Sequence, residues 1–259
     1  MPRSTLSKLL KSSLRNVRLV IGFEGTRYEG WQSQKKSSSL QEIFEKALSR
    51  ILKEDKVNLV GSSRTDSGVH ALGFVAHFKT HSQLPDVKLK HALNFYLPRD
   101  IVVHSAKTVP ALFHARYTAK SKVYRYTIWN SKTRPLFQAP FVLWFPHPLD
   151  FNRMKKASRY FLGKHDFVAF MDKGGGDKKN TVREIKNFKV TRSGSSLIFE
   201  IEGTGFLRHM IRVIMGTLLE VGSKRIKPES VKTILLSKER KNAGATIRAL
   251  GLTLVKVKY

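Results

Sequence analysis

Aspartate is scarce in this chain, and one aspartate stands in a segment unlike the others. The eight aspartates lie at positions 55, 66, 86, 100, 150, 166, 172 and 177, and only Asp66 is set in a distinctive run, Gly-Ser-Ser-Arg-Thr-Asp-Ser-Gly-Val-His-Ala at 61–71. One interpretation is an Asx turn, in which the Asp66 carboxylate accepts from the backbone near Gly68. The other is a carboxylate held near Arg64, whose charge would lower the pKa of Asp66 and suit a nucleophile or base that is ionised at neutral pH.

Cofactor and metal chemistry have little support in the sequence. The chain has no cysteine, so thiolate metal sites and disulfides are excluded. The histidines at 70, 77, 114 and 209 lack metal-site spacing and are interpreted as structural or RNA-facing residues. The basic run at 173–179 lacks the Gly-Lys-Ser/Thr ending of a P-loop and is interpreted as a loop near RNA. We therefore expect no cofactor and no metal.

The charge of the chain predicts its partner. Its 259 residues include 48 Lys and Arg against 19 Asp and Glu, a formal net charge of +29. Because such self-repulsion opposes folding, a polyanion is the expected partner, most often nucleic acid and less often an anionic membrane surface. No apolar stretch reaches the roughly 18–20 residues that a spanning helix needs, so we expect no membrane insertion.

The N-terminus has two possible roles. Residues 1–23 contain five Arg and Lys and several serines with no acid before Glu24, a composition shared with mitochondrial transit peptides. The alternative is a basic tail at 1–15 that is disordered or lies on RNA. We expect a cytoplasmic protein with such a tail, and a mitochondrial one if the segment is a transit peptide.

The hydrophobic pattern predicts alternating strands and helices in both halves of the chain. Strands are predicted over 16–24, 57–60, 69–78, 101–106, from 122, over 182–191, 197–202 and 252–257, and helices after Ser39, over 88–95, after Asp150 and over about 207–221. The pattern after 118 restarts the series, with Tyr124, Tyr126 and Ile128 on one face of a strand. We therefore predict an α+β fold of two similar halves, 16–118 and 119–259.

Several motifs, taken in order, resemble those of the tRNA pseudouridine synthase A (TruA) family. They are Gly30-Trp-Gln32, Ser39-Leu-Gln-Glu42, Arg64-Thr-Asp-Ser-Gly-Val-His-Ala71, Phe113-His-Ala-Arg116, Lys122-Val-Tyr-Arg-Tyr126, Gly205-Phe-Leu-Arg-His-Met-Ile-Arg212 and Gly251-Leu252. The resemblance runs from about Val17 to Tyr259. It implies the pseudouridine synthase fold, in which antiparallel sheets of the two halves meet at a central basic active-site cleft.

The resemblance also implies roles for eight residues. Asp66 corresponds to the catalytic nucleophile, Arg212 to the arginine that pairs with it, and Arg64 to a further catalytic position. The implied substrate-binding residues are Tyr124, which packs on the target base, and Phe206, Thr65, His70 and Arg116. Taken alone, Tyr124 has the pattern of a core residue and Arg212 that of a solvated surface arginine on the polar side of its helix.

The implied activity is isomerisation of uridine to pseudouridine at tRNA positions 38, 39 and 40 in the anticodon arm, by a homodimer. The rival hypothesis is a noncatalytic RNA-binding or ribosome-associated protein on the same scaffold. One residue departs from the family pattern, since Ser63 stands where a glycine usually precedes the Arg-Thr-Asp triplet. If that position required a positive φ, serine would strain the loop and shift Arg64.

Overall fold

The structure is a computed structural model that describes residues 14–32, 39–172 and 180–259. Most of the predicted N-terminal tail and the whole basic run at 173–179 lie outside these residues. The strands are β1 (Arg15–Phe23), β2 (Val60–Gly61), β3 (His70–Thr80), β4 (Ile101–Val109), β5 (Ser121–Trp129), β6 (Leu143–Trp144), β7 (Gly163–Asp166), β8 (Val182–Ser193), β9 (Ser196–Gly203) and β10 (Leu252–Lys258). The α-helices are α1 (Leu40–Leu52), α2 (Asp86–Tyr96), α3 (Phe151–Ser158), α4 (Met210–Gly222) and α5 (Ser230–Ser237).

The ten strands form one continuous sheet. Its order is β4-β1-β3-β10-β5-β9-β8-β7, with β2 added beside β3 and β6 beside β5. Pairing is mostly antiparallel, but β10 runs parallel to β3 on one side and antiparallel to β5 on the other. The last strand of the chain therefore joins strands from early and late segments. The mixed α+β class expected from the sequence is confirmed.

Two polar side chains begin helices where the sequence predicted caps. Ser39 accepts a hydrogen bond from the Glu42 backbone N–H at 3.3 Å, which supplies a partner to one of the free donors at the start of α1. Asp150 does the same for the Arg153 N–H at 3.0 Å at the start of α3. Apolar spacing along α1 buries Leu40, Phe44 and Leu48 completely. Both helix assignments are confirmed.

Helix α4 differs from its prediction in length and surroundings. It begins at Met210 rather than near Leu207, because His209 has a left-handed backbone with φ of 58° and ends the preceding turn. Eleven of its thirteen residues are buried, so it is covered on nearly all sides, with α3 packed against it. Such a helix belongs to the interior of a domain. Its one arginine, Arg212, is consequently not on a solvated face.

Three elements have no counterpart in the sequence prediction. Helix α5 and the short strands β6 and β7 were not anticipated, and β2 is shorter than the strand predicted over 57–60. Val57 and Leu59 are nonetheless buried, at 1% exposure each. The apolar pattern over 57–60 therefore indicates buried side chains and not a strand of that length. Within the described ranges, no helix combines the length and apolar character needed to cross a membrane.

Candidate active site

Asp66 lies in the loop between β2 and β3. The backbone N–H of Val69 donates to the Asp66 carbonyl at 3.2 Å, and the Ser62 N–H donates to Val75 on β3 at 2.8 Å. These bonds shape the loop without using the Asp66 side chain. The carboxylate instead points toward α4 and is 26% exposed. It is therefore accessible to a ligand while most of its surface is covered by protein.

Arg212 holds one oxygen of this carboxylate. Its Nη1 lies 3.2 Å from Asp66 Oδ2, and its Nε donates to the Ile247 carbonyl at 2.7 Å. The guanidinium is thus fixed at two points and presents a defined edge to Asp66. The two residues are 146 positions apart in the chain, so only the fold brings them together.

His209 approaches the other oxygen, an arrangement that the sequence did not reveal. Its Nε2 lies 3.4 Å from Asp66 Oδ1, and its Nδ1 lies 2.9 Å from Asp172 Oδ2. The sequence interpretation treated this histidine as structural or RNA-facing. A signal was present, because His209 and Arg212 are three residues apart at one helix start and share a face.

His209 and Arg212, rather than Arg64, determine the charge of Asp66. Burial raises the pKa of Asp66, but the hydrogen bonding and charge of His209, followed by the charge and hydrogen bond of Arg212, outweigh burial and hold it below the usual 3.8. The low pKa expected from the sequence is present, but its attribution to Arg64 was wrong. The Arg64 side chain is exposed.

Tyr124 is buried beside this loop. It is 6% exposed, its hydroxyl shares a 3.1 Å hydrogen bond with Ser63 Oγ, and the edge of Phe206 meets its ring at a centroid distance of 5.3 Å. Burial raises the pKa of Tyr124 to about 12, with Ser63 lowering it and the Asp66 charge raising it, so the phenol is neutral. An aromatic pair therefore lies next to the carboxylate.

Ser63 causes no backbone strain. The non-glycine residues with positive φ among those described are Lys53, His209, Lys224 and Lys238, and Ser63 is absent from this set. The strain considered in the sequence analysis is therefore not found. The serine instead supplies the hydroxyl that bonds Tyr124.

The Gly30-Trp31 segment and a buried lysine contact the backbone carbonyls of the Asp66 loop. Gly30 has φ of 88°, and a Cβ there would lie 2.3 Å from the Thr65 carbonyl, which explains the glycine. The Trp31 N–H donates to that same carbonyl at 3.3 Å. From β5, Lys122 Nζ donates to the Ser62 carbonyl at 2.6 Å, and burial, with Arg116 nearby, lowers the pKa of Lys122 to about 8. Thr65 is 8% exposed, and its hydroxyl has no hydrogen-bond partner among the described residues.

His70 joins two backbone segments through its ring nitrogens. It is 2% exposed, its Nδ1 accepts from the Gly25 N–H at 3.0 Å, and its Nε2 therefore carries the proton and donates to the Leu250 carbonyl at 3.1 Å. Burial lowers the pKa of His70, consistent with this neutral form. Both ring nitrogens are occupied by backbone groups. The geometry gives no support to its expected role in substrate binding.

A polar cavity of about 230 Å³ adjoins the same loop on the side of Arg64. Its walls include Ser63, Arg64, Arg116, His114 and Tyr117, and we call it the Arg64 cavity. Tyr117 is 79% exposed and stacks on His114 at 4.3 Å between centroids. Asp66, Arg212 and Tyr124 do not line it. The eight expected site residues are thus found in three places. Asp66, Arg212, Tyr124 and Phe206 lie at or beside the Asp66 carboxylate and its loop. Arg64 and Arg116 line the Arg64 cavity, and Thr65 and His70 are buried supporting residues.

Within the described residues, no group of three or more His, Asp and Glu side chains is placed to hold a metal ion. Metal independence of the reaction stays a prediction. The site therefore consists of a carboxylate, a histidine, an arginine and an aromatic pair, a set suited to nucleophilic attack on a ligand bound against the rings.

Comparison with known proteins places the chain in a family. The family model described as tRNA pseudouridine synthase matches residues 19–118 and 157–259. The tRNA pseudouridine synthase A of Acetivibrio thermocellus is 46% identical over 246 residues, covering 95% of this chain and all of that protein. The protein of the same name from Thermoanaerobacter sp. is 45% identical with the same coverage.

The chain therefore belongs to the tRNA pseudouridine synthase A family, and its class is that of an isomerase that forms pseudouridine in tRNA. The resemblance seen in the sequence is confirmed. Among solved structures, the archaeal box H/ACA Nop10–Cbf5 complex is more distant, with 9% identity, a TM-score of 0.39, and coverage of 85% of this chain and 47% of that one. That likeness says nothing further about this chain.

Proposed function

We propose that this chain isomerises uridines 38, 39 and 40 in the anticodon arm of tRNA, with Asp66 as the nucleophile. The observation that carries the proposal is the Asp66 carboxylate, kept ionised between His209 and Arg212 and placed beside the Tyr124–Phe206 pair. An anionic nucleophile needs an ionised side chain at neutral pH, and this one is ionised.

The proposed reaction exchanges one glycosidic bond for another. Asp66 attacks the target nucleoside while its N1–C1′ bond breaks, and the freed uracil turns in the pocket. C5 then bonds to C1′, and the bond between Asp66 and the nucleoside breaks, which restores the free carboxylate. The C5 hydrogen leaves as a proton and N1 gains one, so no oxidant, reductant or cofactor is required. Attack at C1′ of the ribose and attack at C6 of uracil are both compatible with this exchange of bonds. Arg212 orients the attacking oxygens through its two fixed hydrogen bonds.

The aromatic and basic residues are assigned to substrate binding. Tyr124, oriented by Ser63 and Phe206, packs on the extruded base, since base–aromatic stacking contributes about 1–3 kcal/mol. Extruding a paired uridine costs a few kcal/mol, which phosphate contacts must offset. Arg64 and Arg116 are exposed in the Arg64 cavity and are available for such contacts. The net charge of +29 supports the same role across the molecule.

We also propose that the halves 16–118 and 119–259 form the two walls of the active-site cleft. Asp66 comes from the first half, and Tyr124, His209 and Arg212 come from the second.

We also propose that the protein is a homodimer. Exposed apolar side chains support this proposal, such as Leu136 and Phe137, which are 76% and 84% exposed. Light scattering of the purified protein tests it, and a monomer at working concentration contradicts it. A cytoplasmic location, in line with the bacterial relatives, is tested by cell fractionation.

One assay separates the enzyme from the noncatalytic RNA-binding alternative. Isomerisation replaces the C5 hydrogen of uridine by the glycosidic bond, so tRNA carrying tritium at C5 releases label to water. Transcripts in which uridine is retained only at position 38, 39 or 40 assign the position. We expect release from anticodon-arm substrates and none from a transcript lacking these uridines. Release only from uridines elsewhere would overturn the positional assignment, and no release at all would favour the binding protein.

A further inference from the structure

His209 stands between two carboxylates, and its protonation state follows from that geometry. Nε2 faces Asp66 Oδ1 at 3.4 Å, and Nδ1 faces Asp172 Oδ2 at 2.9 Å. A neutral imidazole has one N–H and one lone pair, so one nitrogen would present a lone pair to a carboxylate. Only the imidazolium donates to both. The side chain is 16% exposed, so water screens these contacts weakly.

The backbone of His209 is adapted to this contact. Its φ of 58° lies in the left-handed region, which is strained for a non-glycine residue. Strain of this kind persists where the surrounding structure fixes it, and it points to a function when it orients a side chain at a site. Here it places the ring between the Asp66 loop and Asp172.

The charged groups around His209 come from each neighbouring element. Asp66 lies on the loop before β3, Asp172 follows the short helical turn at 168–170, and Arg212 lies on α4. Asp172 also accepts from the Thr246 hydroxyl at 3.3 Å, and that hydroxyl accepts from Arg240 at 2.9 Å. The two anions favour the imidazolium, while Arg212 opposes it.

We propose that His209 is a positioning residue for the isomerisation, acting as an imidazolium that fixes one oxygen of the nucleophile, and that Asp172 keeps it protonated. This inference rests on the proposed function, because it gives His209 a role through Asp66. Asp66 is then held from both sides, by Arg212 at Oδ2 and by His209 at Oδ1. Loss of the His209 proton turns an attraction into a contact between a lone pair and a carboxylate.

The direction of the pH dependence follows from the same contacts. The interaction with Asp66 raises the pKa of His209 above its ordinary 6.5, burial opposes this, and the hydrogen bond to Asp172 adds to the rise. A group whose folded-state pKa is raised gives its full stabilisation below the ordinary value and loses it as the pH rises through the folded value. The contact that holds Asp66 Oδ1 is lost over the same pH range, as His209 loses its proton. Because that contact positions the nucleophile in this proposal, the reaction rate falls on the alkaline side.

The first test is the pH profile of the single-turnover rate. In Asp172→Asn, the amide oxygen can still accept from Nδ1 but the anion is gone, so the alkaline decline moves to lower pH. In His209→Gln, the titrating group is gone; the decline disappears and the rate at the optimum falls about tenfold or more, as expected for loss of a hydrogen bond to a charged group. His91→Gln, which changes an exposed histidine on α2, is the matched control and keeps the wild-type profile.

The second test needs no substrate, so it separates this inference from the proposed function. Histidine labelled with ¹³C at Cε1 is titrated by NMR in the intact protein, and the His209 signal is assigned by its absence in His209→Gln. We expect its midpoint above that of a free histidine, and lowered in both Asp172→Asn and Asp66→Asn. An unshifted midpoint, or an alkaline decline in His209→Gln at the same pH as in the wild type, would overturn the proposal. A failed tritium assay with an elevated His209 midpoint would instead overturn the proposed reaction.

Discussion

At the scale of single residues, burial and neighbouring charges have opposite effects on the pKa of Asp66. Burial alone would favour a protonated Asp66, which could not act as an anionic nucleophile. Two cations reverse that preference, and the partial exclusion of water strengthens their effect. Since the pKa of Asp66 is held below 3.8, its titration contributes no acid-side loss of rate near neutral pH.

Arg212→Lys is predicted to be a severe change although it conserves charge. The guanidinium uses Nε for Ile247 and Nη1 for Asp66 simultaneously, and a single ammonium cannot reproduce that fork. We expect the single-turnover rate to fall about 10- to 100-fold, the loss expected for one hydrogen bond to a charged group, with tRNA affinity nearly unchanged. Arg225→Lys, at an exposed arginine paired with Glu220, is the control and should be silent. A near-normal rate in Arg212→Lys would show that only the charge matters.

Ser63 and Tyr124 are predicted to act as a unit through their shared hydrogen bond. Ser63→Ala leaves the buried Tyr124 hydroxyl without this partner and should lower the free energy of unfolding by about 1 kcal/mol. Tyr124→Phe removes the hydroxyl and keeps the ring. If the hydrogen bond is the common cause, the double variant loses less stability than the two single variants together. Urea unfolding of all four proteins measures this, and strictly additive losses would show that the bond contributes nothing.

At the scale of elements, the Asp66 loop is positioned by contacts from three sides. Gly30 and Trp31 contact the Thr65 carbonyl, Lys122 on β5 holds the Ser62 carbonyl, and β3 pairs with the Ser62 N–H. Each of these groups belongs to a motif or lies beside one, but their common target is visible only in the fold. A loop fixed in this way can hold a nucleophile without flexible adjustment.

Gly30→Ala is predicted to disturb catalysis through the loop. The new Cβ would meet the Thr65 carbonyl at 2.3 Å, so the backbone next to Asp66 must move. Overpacking of this kind costs about 1–3 kcal/mol, and a displacement near 1 Å can lower a rate about 100-fold. Gly194→Ala is the matched control, because its φ is also positive, at 56°, while nothing lies within 4 Å of its Cβ.

In that control φ is also positive but the clash is absent. We expect Gly194→Ala to lose about 1 kcal/mol of stability, since alanine is disfavoured in the left-handed region, with an unchanged single-turnover rate. Thermal unfolding and the tritium assay distinguish the two effects. Equal rates in Gly30→Ala and wild type would mean that the contact with Thr65 does not position Asp66.

The sequence predicted most elements but only part of the site, and the reason is physical. Period-two and helical patterns report local burial, so β1, α1 and α3 were found within a few residues of their bounds. Helix α5 spans eight residues and buries Val231, Ile234 and Leu235, which is a single repeat of the helical pattern. The role of His209 depends on Asp66 and Asp172, which are distant in the chain, and periodicity carries no information on such contacts.

At the scale of the whole molecule, β10 makes one sheet from early and late strands. It lies between β3, which follows the Asp66 loop, and β5, which carries Tyr124 and Lys122. The Asp66 loop, which leads into β3, and Tyr124 on β5 are thus carried by the two strands that flank β10. Leu254 pairs with Ala71 on one side and Tyr124 on the other, so the last strand of the chain fixes their spacing. The ten-stranded sheet is therefore the frame that carries both the Asp66 loop and Tyr124.

The separation between frame and nucleophile leads to a prediction for Asp66→Asn. The amide is close in size to the carboxylate but cannot attack as an anion, so isomerisation should be abolished. Affinity should come from Lys and Arg contacts to phosphates, and each neutralised phosphate contributes about 0.7–0.9 to the slope of log affinity against log salt. Wild type and Asp66→Asn should therefore bind tRNA with similar slopes, and we expect loss of one negative charge to tighten binding slightly.

The measurement pairs salt titrations of tRNA binding with single-turnover tritium release for both proteins. Retained isomerisation in Asp66→Asn would remove Asp66 from the reaction. Joint loss of binding and activity would instead assign Asp66 to the structure of the loop, because Arg212 and His209 would then face each other as cations without the anion between them. Thermal unfolding of the variant distinguishes that outcome from a direct role in binding, since a structural Asp66 predicts a lowered midpoint and a binding role predicts none.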